Sequence, residues 1–359
     1  MNTQTLYERF AKTPPRRLFF LAAIPGAVSM LASALYQLID GVFVGQILGE
    51  TAFAALNLAM PFVIINFSLA DLIGVGSSVP ISIDLGRKEE KTANNTFTCA
   101  CILIVATSAA VGAVLYLAAP LLMSLMGAEG EFAAFAVQYL RVYALCSPVT
   151  TIIFAVDNYL RICGKVQRSM LLNIFMSVMS ASLEFLFLAV FRWGIWGAAL
   201  ATCTGMFLSA AAAFYPFFRG RMPLHFCRPR FHWGMIRKMI ANGAPNFLNN
   251  IAGRITSILM NFLLVRLGGE SAVSIYGILM YAEGFIQPLL YGMCDSLQPA
   301  VGYNWGAGKF SRVRAIERYC FSATAVLSVL AAGVICTVPE QIGALFMSQG
   351  GAVFVAETA

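Results

Sequence analysis

An aspartate lies inside an apolar stretch near the start of the chain, where Asp40 is flanked by Leu38, Ile39, Val42 and Phe43. A charged side chain at the centre of a membrane span costs about 2.5–3.5 kcal/mol on insertion scales, so one that is kept there is a candidate for function. A carboxyl group in such a place can bind and release a proton or hold a cation. The alternative is a carboxyl that is satisfied structurally by a hydrogen bond to a neighbouring helix.

Three polar residues accompany Asp40 at helical spacing. Ser33, Tyr36 and Gln37 precede it by seven, four and three positions, so all four side chains fall on one face of a helix. Such a face cannot contact lipid, and we expect it to line the interior of a helix bundle or a cavity. We assign Asp40 and Tyr36 to a candidate cation-coupling site, and Ser33 and Gln37 to a candidate substrate cavity.

A second acid, Glu184, lies in another apolar stretch. Ser177 and Ser180 precede it by seven and four positions and share its helical face. We expect Glu184 to share the coupling role of Asp40. The serines have a second interpretation, because small residues also favour close packing between membrane helices.

Four further residues are weaker candidates for a functional role. Arg254 and Glu283 belong to neighbouring predicted helices, and they either pair with each other or contact a substrate. Met176 is a candidate for an adaptable cavity wall, although a methionine in such a stretch is more often plain core. Asp157 lies near one predicted membrane surface, where ion pairs of helix ends and loops are the expected role.

The composition explains why these ionisable residues stand out. Of the 359 residues, 59% are hydrophobic and only 11% are charged, and the mean hydropathy is +0.76. Soluble domains carry about 25% charged residues, so the chain is predicted to be an integral membrane protein. The sequence shows no nucleophile–base pair, phosphate-binding loop or metal-ligand cluster, and we therefore expect no enzyme, no catalytic residue, no metal site and no cofactor.

Nine apolar stretches are long enough to cross a bilayer core of about 30 Å, and none shows the alternation of a barrel strand. The sequence therefore predicts an all-α polytopic membrane bundle. The predicted spans are residues 18–46, 53–80, 97–123, 132–156, 169–191, 194–217, 239–265, 272–298 and 319–338.

Basic residues are concentrated in every second loop. Twenty of the 24 lysines and arginines fall in the N-terminus and in the loops around 87–91, 161–168, 219–238 and 309–318. Because basic loops face the cytoplasm, this pattern predicts a multi-pass protein of the plasma (inner) membrane with a cytoplasmic N-terminus. It also accounts for the net charge of +7. The lipid bilayer, and not nucleic acid, is the expected partner.

The chain contains an internal repeat with an offset of 220 residues, which aligns Pro25 with Pro245. The first copy holds six spans, so both copies enter the membrane from the same side. We predict an N-terminal six-helix lobe over 1–218, a basic inter-lobe loop over 219–238, and a partial C-terminal lobe of three helices over 239–359. Three more helices are expected to complete the second lobe. Each proline bends its helix, either as a fixed packing bend or as one that changes during a conformational cycle.

Several stretches resemble the multidrug and toxic compound extrusion (MATE) family of transporters. They are YQLIDGVFVGQILG, NYLRICGKVQRSM, EFLFLAVFRWGIWGAALAT, NGAPNFL and QPAVGYNWGAGKFSRVR. The resemblance implies two six-helix lobes around a central cavity that opens alternately to either side of the membrane. It also implies export of organic, often cationic, compounds in exchange for protons or sodium ions.

The resemblance also implies roles for single residues. The family's N-lobe cation site uses a first-helix aspartate, which matches Asp40, and a threonine, which matches Thr202. Its asparagine–aspartate pair matches Ser180 and Glu184, and both residues depart from the pattern. Because serine lacks the amide oxygen, protonation is favoured over sodium coordination here. In the family a bend at the first-helix proline accompanies protonation, which implies a conformational role for Pro25.

We therefore expect a monomeric, secondary active exporter of small organic, drug-like compounds, coupled to H+ or Na+. One alternative is a lipid-linked oligosaccharide flippase of the same superfold, which is expected to line its cavity with several basic residues for a pyrophosphate. A second alternative is a non-functional truncated remnant.

Overall fold

The computed structural model describes residues 6–220 and 222–337, without the side chains of residues 7, 254, 257–258, 261–262, 264–279, 281–282 and 335–336. This described part is almost entirely helical and contains no strand. Its α-helices are α1 (Pro15–Phe43), α2 (Glu50–Gly86), α3 (Glu90–Leu125), α4 (Gly130–Thr150), α5 (Ile152–Ile162), α6 (Val166–Phe185), α7 (Ile195–Phe218), α8 (Trp233–Asp295), α9 (Gln298–Gly306) and α10 (Phe310–Thr337). Short π-helical segments cover Tyr7–Lys12, Val44–Leu48 and Leu186–Val190.

Seven helical stretches of the described residues are long and apolar enough to cross a membrane, which confirms seven of the nine predicted spans. They are Pro15–Leu48, Glu50–Gly86, Glu90–Leu125, Gly130–Ile162, Val166–Val190, Ile195–Phe218 and Phe310–Val334. A helix pairs its own backbone N–H and C=O groups, as a hydrocarbon environment requires. Large apolar side chains such as Leu117 and Leu145 are exposed on the outside of the bundle, where lipid is expected. The chain is an all-α, multi-pass membrane protein.

The other two predicted spans, 239–265 and 272–298, fall almost entirely within α8, whose residues are helical from Trp233 to Asp295 but do not form one straight helix. A straight helix would separate Asn246 from Tyr291 by about 67 Å, at a rise of about 1.5 Å per residue. Their side chains instead form a hydrogen bond of 3.0 Å, from the Tyr291 hydroxyl to the Asn246 Oδ1. The chain therefore reverses direction between them. We call residues 233–253 the first arm of α8 and residues 280–295 its second arm.

The predicted inter-lobe loop, 219–238, ends earlier than expected because α8 already begins at Trp233. Three side chains of α3 hold this loop by accepting hydrogen bonds from its backbone N–H groups. The bonds run from His225 to Asn94, from Cys227 to Thr98 and from Arg230 to Asn95, at 2.8–3.1 Å. The loop is therefore fixed against the N-terminal half of the bundle.

The basic segments meet at one end of the bundle. Asn304 of α9 donates a hydrogen bond of 3.0 Å to the Phe10 carbonyl, close to the N-terminus. Gly86, which ends α2, packs against the backbone of Tyr303 in α9. We call this end the basic end, and the sequence pattern predicts that it faces the cytoplasm.

Candidate functional site

Asp40 of α1 and Glu184 of α6 meet inside the N-terminal half of the bundle. Asp40 is 5% exposed and Glu184 is 0% exposed. Their carboxyl groups lie within interaction distance of each other. The tertiary structure thus brings together the two acids that the sequence singled out. We call them the acid pair.

The acid pair lacks hydrogen-bond partners for most of its oxygens. In the part of the chain that the structure describes, Asp40 Oδ1 and both Glu184 carboxyl oxygens are buried and accept no hydrogen bond. Burying an unpaired carboxylate is costly, and two adjacent carboxylates also repel each other. A bound proton or cation removes much of that cost, so the pair is a place where positive charge can bind.

Hydroxyl groups surround the acid pair. The hydroxyl oxygens of Tyr36 and Thr202 are 2.6 Å apart, and the Thr202 hydroxyl also lies 3.3 Å from the Ala198 carbonyl. Ser180 is buried one helical turn before Glu184 and packs against Gly205 of α7. Tyr36, Ser180 and Thr202 therefore line the region predicted for them, while their part in cation coupling stays a prediction.

Two tyrosines that the sequence did not single out complete the wall of this pocket. Tyr139 and Tyr143 of α4 are buried, and their ring centroids are 5.0 Å apart. Tyr143 lies within interaction distance of Asp40 and of the Thr202 hydroxyl. Their spacing of four positions in an apolar span was a visible signal, because buried tyrosine hydroxyls on one helical face need polar partners.

The polar face of α1 divides into two. Tyr36 and Asp40 are buried toward the acid pair. Ser33 and Gln37 instead line a separate cavity between α1, α2 and the two arms of α8. Successive positions on an α-helix turn by about 100°, so Tyr36 and Gln37 point in different directions although they are adjacent. The single polar face predicted from the spacing therefore serves two environments.

The cavity is formed by both halves of the chain and has a volume of about 680 Å³. Sites for small organic molecules occupy roughly 300–1,000 Å³. Glu283 lies in its wall together with Ser33 and Gln37. The described lining residues are Met30, Ser33, Ala34, Gln37, Leu38, Ile64, Asn249, Asn250, Gly253, Met280, Glu283, Gly284, Phe285, Gln287, Pro288 and Tyr291.

The outcome differs for Met176 and Arg254, which were also predicted to line the substrate cavity. Met176 does not line this cavity; it is 7% exposed and belongs to the apolar core. Its face of α6 packs against neighbouring helices, which is the plain core role that the sequence also allowed, and a role in a substrate cavity stays a prediction. The side chain of Arg254 lies outside the described residues, and its pairing with Glu283 stays a prediction.

Pro25 and Pro245 lie inside α1 and α8, and both helices continue on either side of them. Each proline is next to a contact between the two halves of the chain. Gly26 packs against the second arm of α8, and Asn246 donates a hydrogen bond of 2.8 Å to Asp71 of α2. A change of bend at either proline would therefore move the contact between the halves.

Asp157 was expected to form an ion pair of a helix end or loop near the membrane surface; it does pair with Arg161, but both side chains are buried and not at the surface. Arg161 is 0% exposed and Asp157 is 7% exposed. The Arg161 Nη2 binds the Asp157 Oδ2 at 2.5 Å. Helix α5 carries both residues into the bundle before it ends at Ile162, so their charges pair with each other and not with water.

The packing beside Ser180 makes a testable prediction about Gly205. A Cβ at Gly205 would overlap the Ser180 Oγ and approach its Cα at 3.1 Å. We expect Gly205→Ala to lower the free energy of unfolding by about 1–3 kcal/mol, as overpacking does. Thermal unfolding in detergent would measure it, with Gly284→Ala as the control because its Cβ would meet no atom within 4 Å. Equal melting of the two variants would contradict the tight packing.

The MatE family model matches residues 25–186 and 245–359, which together exceed half of the chain. The two matched segments begin at Pro25 and Pro245, the pair that the 220-residue offset aligns. This coincidence supports the predicted repeat.

Curated proteins similar to the chain include two multidrug export proteins. The multidrug export protein MepA of Staphylococcus aureus is 24% identical over 361 residues, covering 99% of this chain and 79% of that protein. MepA of Staphylococcus saprophyticus is 24% identical over 362 residues, with the same shares.

Two solved structures illustrate the likeness in three dimensions. The crystal structure of MATE in the straight conformation matches with a TM-score of 0.89 at 22% identity, over 96% of this chain and 77% of that one. An outward-facing multidrug resistance MATE family transporter matches with a TM-score of 0.87 at 22% identity, over 98% and 79%. At these identities the two structures establish a shared fold.

Proposed function

The chain belongs to the MatE family, and from that premise we propose that it is a secondary active exporter of small organic compounds, driven by inward flow of protons. The name of MepA, a multidrug export protein, supports this class of activity. The observation that carries the proposal is the buried pair of Asp40 and Glu184, because Asp40 lies on α1, the helix that also lines the cavity. Protons are favoured over sodium because serine at position 180 offers no amide oxygen.

Helix α1 connects the acid pair to the cavity. It contributes Asp40 to the pair and Tyr36 beside it, and its Gln37 and Ser33 line the cavity. Protonation would neutralise the buried pair and shift the balance between conformations open to either side. Export follows if the protonated conformation binds the substrate more weakly than the unprotonated one.

The lining of the cavity suits organic cations. Glu283 supplies negative charge, Met280 and Phe285 supply apolar contact, and Asn249 and Gln287 offer amide groups. No basic side chain is found among the lining residues within the described part of the chain.

Transport by reconstituted protein tests the proposal. The purified protein would be placed in vesicles that contain the fluorescent cation ethidium. An acidic outer buffer should drive ethidium out, whereas an inward sodium gradient at equal pH should not. Export driven by sodium alone would contradict proton coupling, and no export under either gradient would contradict the proposed activity.

A further inference from the structure

The two halves of the chain touch in a layer that lies between the cavity and the basic end. Gly26 and Asp71 belong to this contact layer. Met30 and Ile64 line the cavity and lie farther from the basic end on the same two helices. The same order holds on the two arms of α8. On the first arm, for example, Asn249 lines the cavity and lies farther from the basic end than the contact layer does. The cavity is therefore closed toward the basic end.

Arg161 is at the centre of the polar contacts in this layer. Its Nη1 binds the Asp295 Oδ2 on the second arm of α8, and its Nη2 binds the Asp157 Oδ2 on its own helix. Its Nε donates a hydrogen bond of 3.0 Å to the Ser169 Oγ. The guanidinium thus holds one carboxylate of its own half and one of the other half.

The two carboxylates differ in how they are held. Asp157 is fixed within its own half, because Ser169 and Asn173 of α6 donate hydrogen bonds to its Oδ1. Asp295 reaches Arg161 only across the contact layer. When the halves separate, Arg161 keeps Asp157 as its counter-charge and loses only Asp295.

Because Asp157 is held firmly and, among the described residues, Asp295 is held only by Arg161, the contact between Arg161 and Asp295 can break and reform. Losing one partner of a buried ion pair is strongly unfavourable unless water replaces that partner. The bond between Arg161 and Asp295 is therefore stable while the layer is closed and can break once water enters from the basic end. The hydrogen bond of 2.8 Å from Asn246 to Asp71 is a second link across the same layer.

We propose that Arg161 and Asp295 form the gate at the basic end of the transport pathway, and that Asp157 positions Arg161 for it. The gate stabilises the conformation that is closed at this end, and its release lets the cavity open to that side. The inference rests on the proposed function in one respect, namely that the chain alternates between two openings.

Hydrogen–deuterium exchange of the protein in lipid nanodiscs tests the gate without any transport. Asp295→Asn removes the charge at nearly constant shape. We expect exchange in residues 72–86 and 298–306 to rise about tenfold or more, because the open conformation gains population. Exchange in the cavity residues 30–37 should fall, because the opposite end closes.

Glu8→Gln is the control, since it removes a carboxylate from an exposed ion pair with Lys12 that lies within one helical segment. Its exchange should match the wild type. Unchanged exchange in Asp295→Asn would overturn the gate, as would a rise spread evenly over all helices, which would mark a purely structural pair. A protein that does not export ethidium but shows the expected exchange pattern would contradict the proposed function and leave the gate standing.

Discussion

Asp40→Asn is expected to abolish export while the fold stays intact. Asparagine has nearly the same shape as aspartate but cannot take up and release a proton, so the acid pair would lose its ability to couple proton flow to conformation. Within the described residues, Asp40 Oδ1 has no hydrogen-bond partner, so the substitution removes no bond from that atom. We therefore expect ethidium efflux from cells to fall to the background level, with thermal unfolding of the purified variant at or above the wild-type temperature.

Glu50→Gln is the matched control for Asp40→Asn. Glu50 is an exposed acid in the first turn of α2, at the end of the bundle opposite the basic end. Its replacement should leave efflux close to the wild-type rate. Normal efflux from Asp40→Asn would exclude the acid pair as the coupling site, and early unfolding of that variant would show that Asp40 is structural.

Gly26→Ala is expected to reduce efflux by about tenfold or more, because the added methyl group would push the two halves of the chain apart at the contact layer. A Cβ at Gly26 would overlap the Gly292 carbonyl oxygen on the second arm of α8 and the Oγ of Ser296, which follows that arm. The Gly292 carbonyl belongs to the helix backbone and cannot move without moving the arm. The variant should therefore fail to close at the basic end, and a transporter held in one conformation does not complete its cycle.

Gly41→Ala tests whether this effect depends on position, because it makes the same change on the same helix. A Cβ there would meet the Phe53 ring at 3.4 Å, which is an ordinary contact. Its efflux should stay within about twofold of the wild type. If Gly26→Ala exported as well as Gly41→Ala, tight contact at this layer would not be required for transport.

The apolar stretches and the two acids were visible in the sequence for a simple physical reason. A membrane span is a local property, since about 20 consecutive apolar residues make one regardless of the rest of the fold. A carboxylate inside such a stretch is conspicuous because few residues are charged there. Asp40 and Glu184 could therefore be named before their contact was known.

Arg161 shows where reading the sequence alone fails. It lies close to a basic loop, and a basic residue near a loop is usually solvated. Its partner across the contact layer is Asp295, which is 134 positions away along the chain. No local pattern indicates a contact at that separation, so a residue of the proposed gate was read as a loop charge.

The sequence by itself determined the membrane class, the positions of seven spans and the two buried acids. These depend on composition and on spacing within one helix, which the order of residues specifies directly. Only the tertiary structure decided that Tyr36 and Gln37 face different environments, that α8 folds back on itself and that Arg161 joins the two halves. The physical reason is that each of these features depends on which helices become neighbours, and neighbours are set by the packing of the whole bundle.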